Sequence, residues 1–295
     1  MTSDRDPSTG SPAPSVLVTA RDLMDEVSTY PIPVILDVRW QLGEPDGRRH
    51  YYGGHIPGAQ YIDLNSELSE APSDTFGRHP LPTPEAFQGA MRRVGVNDAD
   101  RVVIYDDVGG TSAARAWWLL RWAGKQDVRL LDGGLKAWIA AGGELAVGPG
   151  NPVERGDFTF DLDHMRTVTL EEAADWPDRG VLLDVRAADR YAGRTEPVDK
   201  RAGHIPGARN LPTSSFLDES GRFLSAGRIR ELFAEVGVTH GSDTAVYCGS
   251  GIHAAHALAA MEIAGLEAGR LFPGSWSQWS ADRRRPVTVG EEPGR

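Results

Sequence analysis

Short runs of apolar and β-branched residues alternate along the chain with longer helical patterns. In the second half, Val181 to Val185 and Thr244 to Tyr247 are apolar runs bounded by polar residues, the pattern of a strand buried on both faces. Ala254 to Ala264 carries Ala, Leu and Met with no breaker and predicts a helix. The first half has the same layout, with Val34 to Val38 and Val102 to Tyr105 as strands and Ser112 to Trp122 as the matching helix. This alternation predicts an α/β class in which each half is a mostly parallel sheet flanked by helices.

The two halves also repeat at the level of residues. Ile35-Leu36-Asp37-Val38-Arg39 recurs as Leu182-Leu183-Asp184-Val185-Arg186, and Gly54-His55-Ile56-Pro57-Gly58-Ala59 as Gly203-His204-Ile205-Pro206-Gly207-Ala208. Val103-Ile104-Tyr105-Asp106 lines up with Ala245-Val246-Tyr247-Cys248, and Asp132-Gly133-Gly134 through Trp138 with Pro273-Gly274-Ser275 through Trp279. Four blocks in one order imply two homologous domains in tandem. They are expected at 16–145 and 168–286, joined by a Gly-, Pro- and charge-rich linker at 146–167. A length of 295 residues suits two such units.

Composition narrows the chemistry. The 31 Lys and Arg against 42 Asp and Glu leave a net charge of −11, which argues against nucleic acid as a partner. Apolar runs such as Ala116 to Leu120 fall far short of the ~20 residues that span a bilayer, so no membrane association is expected. Met1 to Ser15 lacks the apolar core of a signal peptide, and a single cysteine rules out an intramolecular disulfide and a Cys-rich metal cage. A reducing cytoplasmic setting is the expectation, with frayed ends at about 1–15 and 282–295.

That cysteine, Cys248, closes a predicted strand, and Gly249-Ser250-Gly251-Ile252-His253 leads into the helix near Ala254. A strand-to-helix turn with two glycines is able to aim successive N–H groups into one concavity, where the helix dipole adds positive charge. Such a setting favours a thiolate and makes the cysteine a nucleophile. The bland alternative is a buried, inert cysteine. The turn, the helix behind it, and Asp106 at the equivalent place in the first half point to one active pocket and one retired one.

The paired Asp-Val-Arg and Gly-His-Ile-Pro-Gly-Ala blocks, the Trp117-Trp118 helix, Cys248-Gly249-Ser250-Gly251 and Pro273-Gly274-Ser275-Trp276 together resemble the tandem-domain rhodanese family of sulfurtransferases, over about Val16 to Pro286. The resemblance implies two rhodanese-like α/β domains, the first non-catalytic. It implies a persulfide on Cys248 that passes sulfur to a thiol, cyanide or thioredoxin-like acceptor, with no metal and no other cofactor. Gly249-Ser250 is neutral where thiosulfate specialists carry cations, and so resembles the 3-mercaptopyruvate type; thiosulfate is the alternative donor.

The same resemblance assigns Arg190 to the donor's carboxylate and leaves the second cation among Arg194, Lys200 and Arg201, with Lys200 the residue carried forward. The loop residues Gly249, Gly251, Ile252 and His253 are expected to cradle the charge, although His253 departs from the Thr usual in that loop. A Ser-His-Asp relay proposed for mercaptopyruvate enzymes maps here onto Ser250, His55 and Asp46, while His204 in the equivalent block suggests a scaffold role for that histidine. A phosphatase would need an arginine six residues after the cysteine, where Ala254 stands. A non-catalytic binding or sensing module on the same fold is the remaining alternative. The tryptophans Trp117, Trp118, Trp138, Trp276 and Trp279 are expected to pack in cores or at the domain interface, and the Asp37-Arg39 and Asp184-Arg186 pairs to bond locally.

Overall fold

A computed structural model describes residues 15–44, 46–162 and 164–294. The first domain runs β1 (Leu17–Val18), α1 (Ala20–Val27), β2 (Val34–Asp37), α2 (Gly47–Gly53), β3 (Gln60–Tyr61), α3 (Pro84–Arg93), β4 (Val102–Tyr105), α4 (Ala113–Trp122), β5 (Val128–Leu131) and α5 (Gly134–Ala140). Its five strands are parallel in the order β1-β5-β4-β2-β3. The second contains α6 (Leu170–Asp175), β6 (Val181–Asp184), α7 (Ala188–Tyr191), β7 (Arg209–Asn210), α8 (Ala226–Glu235), β8 (Thr244–Tyr247), α9 (Ile252–Ile263), β9 (Arg270–Leu271) and α10 (Ser275–Ala281). Its parallel order is β7-β6-β8-β9, and a single bridge from Thr167 to Leu271 stands where the first sheet has β1.

The repeated motifs turn out to be scaffold. Arg39 forks onto Asp37 and donates Nη2 to Gly54 O at 2.7 Å; Arg186 does the same with Asp184 and with Gly203 O at 2.6 Å. His55 Nδ1 lies 2.9 Å from Tyr51 O with its ring stacked on Tyr51, and His204 Nδ1 lies 2.8 Å from Tyr191 O, stacked on Tyr191. Each domain uses these blocks to tie its central strand to the loop beyond its next helix.

Helices α4 and α9, which follow the two equivalent loops, pack against each other, and one apolar core runs through both domains. Trp117, Trp118, Trp276 and Trp279 are fully buried and Trp138 is buried too. Between the domains the chain is extended: Gly156 N donates to Arg92 O, Phe158 N to Val96 O, and the Phe158 ring meets Phe87. The C-terminal residues are not frayed as expected. Thr288 exchanges both main-chain bonds with His204, Trp279 Nε1 donates to Pro286 O, and Gly207 N donates to Pro293 O. The expected N-terminal fraying falls on 1–14, outside the described residues. Among the described residues no helix is long and apolar enough to cross a membrane.

Candidate active site

Strand β8 delivers Cys248 to the carboxyl edge of the second sheet, and α9 starts only four residues later, two before the sequence pattern suggests. Gly251 makes this possible by capping α9 in the left-handed region, at φ 82°. Its N–H donates to Cys248 Sγ at 3.1 Å. Cys248 N in turn donates to Ser275 Oγ, which donates to Phe272 O, so the loop is anchored to the start of α10. The sulfur sits at the positive end of a 12-residue helix. The side chain of Ile252 packs in the core, and His253 is exposed on the first turn of α9.

Two guanidinium groups stand over the loop. A Cβ placed on Gly249 would lie 3.0 Å from Arg78 Nη2 and 3.5 Å from Arg190 Nη1. Arg190, on α7, pairs with Glu196 at 2.7 Å and Asp199 at 3.0 Å, and Arg78 pairs with the same Asp199. Lys200 does not join them: its Nζ reaches outward to Asp74 at 2.6 Å, with both side chains exposed. Arg194 bonds Asp189 and Glu291 at the surface, and Arg201 is spent on the carbonyls of Trp279, Ser280, Asp282 and Arg285. The second cation at the loop is therefore Arg78, contributed by the other domain.

Ser250 is likewise met from across the interface. His79 Nδ1 lies 2.8 Å from Ser250 Oγ, and its Nε2 lies 3.3 Å from Asn65 Oδ1. Burial, with the nearby charges of Arg115 and Arg78, pushes the His79 imidazole down to about 3. The ring is neutral at neutral pH, so one nitrogen accepts the Ser250 hydroxyl proton and the other donates to Asn65. His55 and Asp46 are not brought to Ser250. His55 is held by Tyr51 and by main-chain pairing to Ala146, while the Asp46 carboxylate caps α2 by accepting from Arg49 N at 3.1 Å. The relay expected of Ser250, His55 and Asp46 is a Ser250–His79–Asn65 chain in which no carboxylate takes part.

The sequence holds a signal for the missed residues. Gly77-Arg78-His79 has a counterpart in Gly221-Arg222-Phe223, and each block covers the other domain's loop. Phe223 stacks on His256 and lies beside Gly110, just as His79 meets Ser250. At the equivalent loop of the first domain Asp106 accepts main-chain N–H bonds from Val108, Gly110, Ser112 and Ala113 at 2.8–3.0 Å. Burial pushes the Asp106 carboxyl up while these four N–H bonds pull it down, and its side chain fills the nest at the position equivalent to Cys248.

These histidines give a first prediction. Burial lowers both His79 and His256 to about 3, whereas an unfolded histidine titrates near 6.5. The unfolded chain then takes up protons first, so stability present above pH 6.5 is lost as pH falls from about 6.5 toward 3. The expected slope is on the order of 1 kcal/mol per pH unit for each ring. Urea midpoints measured from pH 8 to pH 4.5 check this, and His256→Phe should flatten the slope.

Comparison with known proteins agrees with the geometry. The model of the Rhodanese-like domain family matches residues 19–141 and 169–282. The chain is 45% identical over 278 residues to the Mycobacterium tuberculosis protein named "Putative thiosulfate sulfurtransferase SseB", covering 93% of this chain and 97% of that one. It is 42% identical over 285 residues to the Pseudomonas aeruginosa protein named "Probable 3-mercaptopyruvate sulfurtransferase", covering 93% and 98%. Among solved structures, the 3-mercaptopyruvate enzyme SseA from Escherichia coli superposes with a TM-score of 0.79 at 32% identity, covering 89% of this chain and 99% of that one. A strand-to-helix cysteine loop faced by its sister domain, on two sheets of one topology, thus has its kin, and the chain belongs to the rhodanese family of sulfurtransferases.

Proposed function

We propose that the protein moves sulfane sulfur from 3-mercaptopyruvate to an acceptor through a persulfide on Cys248. The Cys248 thiolate attacks the donor's sulfur, an S–S bond forms, and the C–S bond breaks with its electron pair left on carbon. The leaving group is the enolate of pyruvate, which takes up the proton that the donor thiol brought. A thiol acceptor then removes the outer sulfur as its own persulfide, or cyanide removes it as thiocyanate, and the thiolate is restored. Arg190 and Arg78 bind the donor's carboxylate after exchanging it for Glu196 and Asp199. Two cations already matched by two carboxylates suit a monocarboxylate better than a dianion such as thiosulfate. A reducing cytoplasm, rich in low-molecular-weight thiols and thioredoxin-like proteins, supplies the acceptors and keeps Cys248 reduced.

The observation that carries this reading is the hydrogen bond between Ser250 and the neutral His79. An enolate needs a proton at carbon, and a hydroxyl polarised by imidazole is placed to relay one. Sulfite leaving from thiosulfate is a stable anion and needs none. Wild type is therefore expected to favour 3-mercaptopyruvate over thiosulfate by at least tenfold in kcat/KM. Ser250→Ala should lower kcat/KM for 3-mercaptopyruvate by about 100-fold and leave that for thiosulfate within a few-fold. Equal losses with both donors, or a wild-type preference for thiosulfate, would contradict the assignment.

A further inference from the structure

Among the described residues three arginines are buried to within a few per cent, and one of them lacks an anionic partner. Arg39 has Asp37, and Arg186 has Asp184 and Glu196. Arg115, in the first turn of α4, is completely buried, and among the described residues no carboxylate lies within 4 Å of it. Its Nε donates to Leu68 O at 3.3 Å and its Nη2 to the carbonyls of His79 and Pro80 at 3.1 and 3.2 Å. Nη1 is buried with no hydrogen-bond partner. Charged groups are rarely enclosed in this way unless something nearby carries the opposite charge.

Nη1 is aimed at the cysteine loop of the other domain. It stands 3.3 Å from the point a Cβ on Gly251 would occupy, and Gly251 N is the group that donates to Cys248 Sγ. The absence of a side chain at 251 is what lets a guanidinium approach the underside of the nucleophile's turn. We propose that Arg115 is a positioning residue for the Cys248 thiolate, a fixed positive charge that the first domain holds behind the second domain's nucleophile. Burial pushes its guanidinium down to about 10, and the charge that opposes this fall is that of Cys248. The first domain needs no such cation, because the Asp106 side chain is already satisfied by four N–H groups. The arrangement makes docking of the first domain a condition for reactivity in the second.

The inference rests on Cys248 being the nucleophile, but its test does not depend on sulfur transfer. Cys248 is the sole cysteine, so the rate of alkylation by iodoacetamide against pH, followed by intact mass, reports that thiolate alone. The other charged and titratable groups facing the loop are Arg78, Arg190, His79 and His253, with Glu196 and Asp199 on the two arginines, and all are left unchanged. In Arg115→Met the pH of half-maximal alkylation is expected to rise by about one unit, with the kcat/KM deficit at pH 7 recovered at higher pH. Arg115→Lys, which keeps the charge but loses the fork onto three carbonyls, should hold the midpoint within a few tenths of a unit. Should both variants lose thermal stability yet alkylate with the wild-type midpoint, Arg115 is a carbonyl clamp and the proposal fails. If Arg115→Met does not fold, wild type and Cys248→Ala decide. The urea midpoint of wild type should rise relative to Cys248→Ala as pH is raised through thiol ionisation, and parallel curves would overturn the proposal. Loss of sulfur transfer with the alkylation shift intact would instead count against the proposed function alone.

Discussion

Cys248→Ser is expected to lower sulfur transfer from either donor by roughly four orders of magnitude or more, to the uncatalysed background, while unfolding stays cooperative. The donor is attacked at sulfur, and a serine hydroxyl at neutral pH is un-ionised and a poor nucleophile toward sulfur. The fold should tolerate the change. The side chain is small, only 3% of the residue is exposed, and Gly251 N is able to donate to an oxygen as it does to Sγ. Steady-state assays with 3-mercaptopyruvate and with thiosulfate, beside a urea titration, check both halves. Residual turnover within a hundredfold of wild type would move the chemistry to another residue.

The second large effect belongs to Gly251→Ala. The left-handed φ of 82° costs a residue with a side chain about 1–2 kcal/mol, and the new Cβ would stand 2.7 Å from Pro273 O, closer than real contacts allow. Either the turn or the Pro273 segment must shift, and the N–H bond to Sγ and the start of α9 shift with it. A displacement near 1 Å at a nucleophile is worth about 100-fold in rate. A drop of that size in kcat/KM for both donors is expected, in contrast to the donor-selective loss from Ser250→Ala. Gly249→Ala meets only flexible guanidinium groups and should be milder.

The central strands were readable in the sequence because burial on both faces leaves them nearly pure apolar runs, and the cysteine loop because its glycines and the following helix form one continuous signal. Residues that act across the domain interface were not. Arg78 and His79 follow Pro72-Ser73-Asp74-Thr75, a polar, helix-breaking stretch that looks like surface loop, and only packing of α4 on α9 brings it over Ser250. His55 attracted a catalytic role by its motif, yet the same motif at His204 holds the same carbonyl in the other domain, which marks it as framework. Where the halves are alike, as at His55 and His204, the residue builds the fold. Where they diverge, as at Cys248 against Asp106 and at His79 against Phe223, it stands at the site. The C-terminal tail misled by composition, since its pairing with His204 uses main chain and leaves no trace in side-chain pattern.

Intact-mass measurement after brief exposure of the reduced protein to 3-mercaptopyruvate, with no acceptor present, tests the persulfide directly. A gain of ~32 Da, one sulfur, is expected, mapping by peptide digestion to Cys248 and lost again on adding cyanide or a thiol. An unchanged mass under conditions where the protein turns over would contradict the account, because sulfur would then pass to the acceptor without ever resting on Cys248.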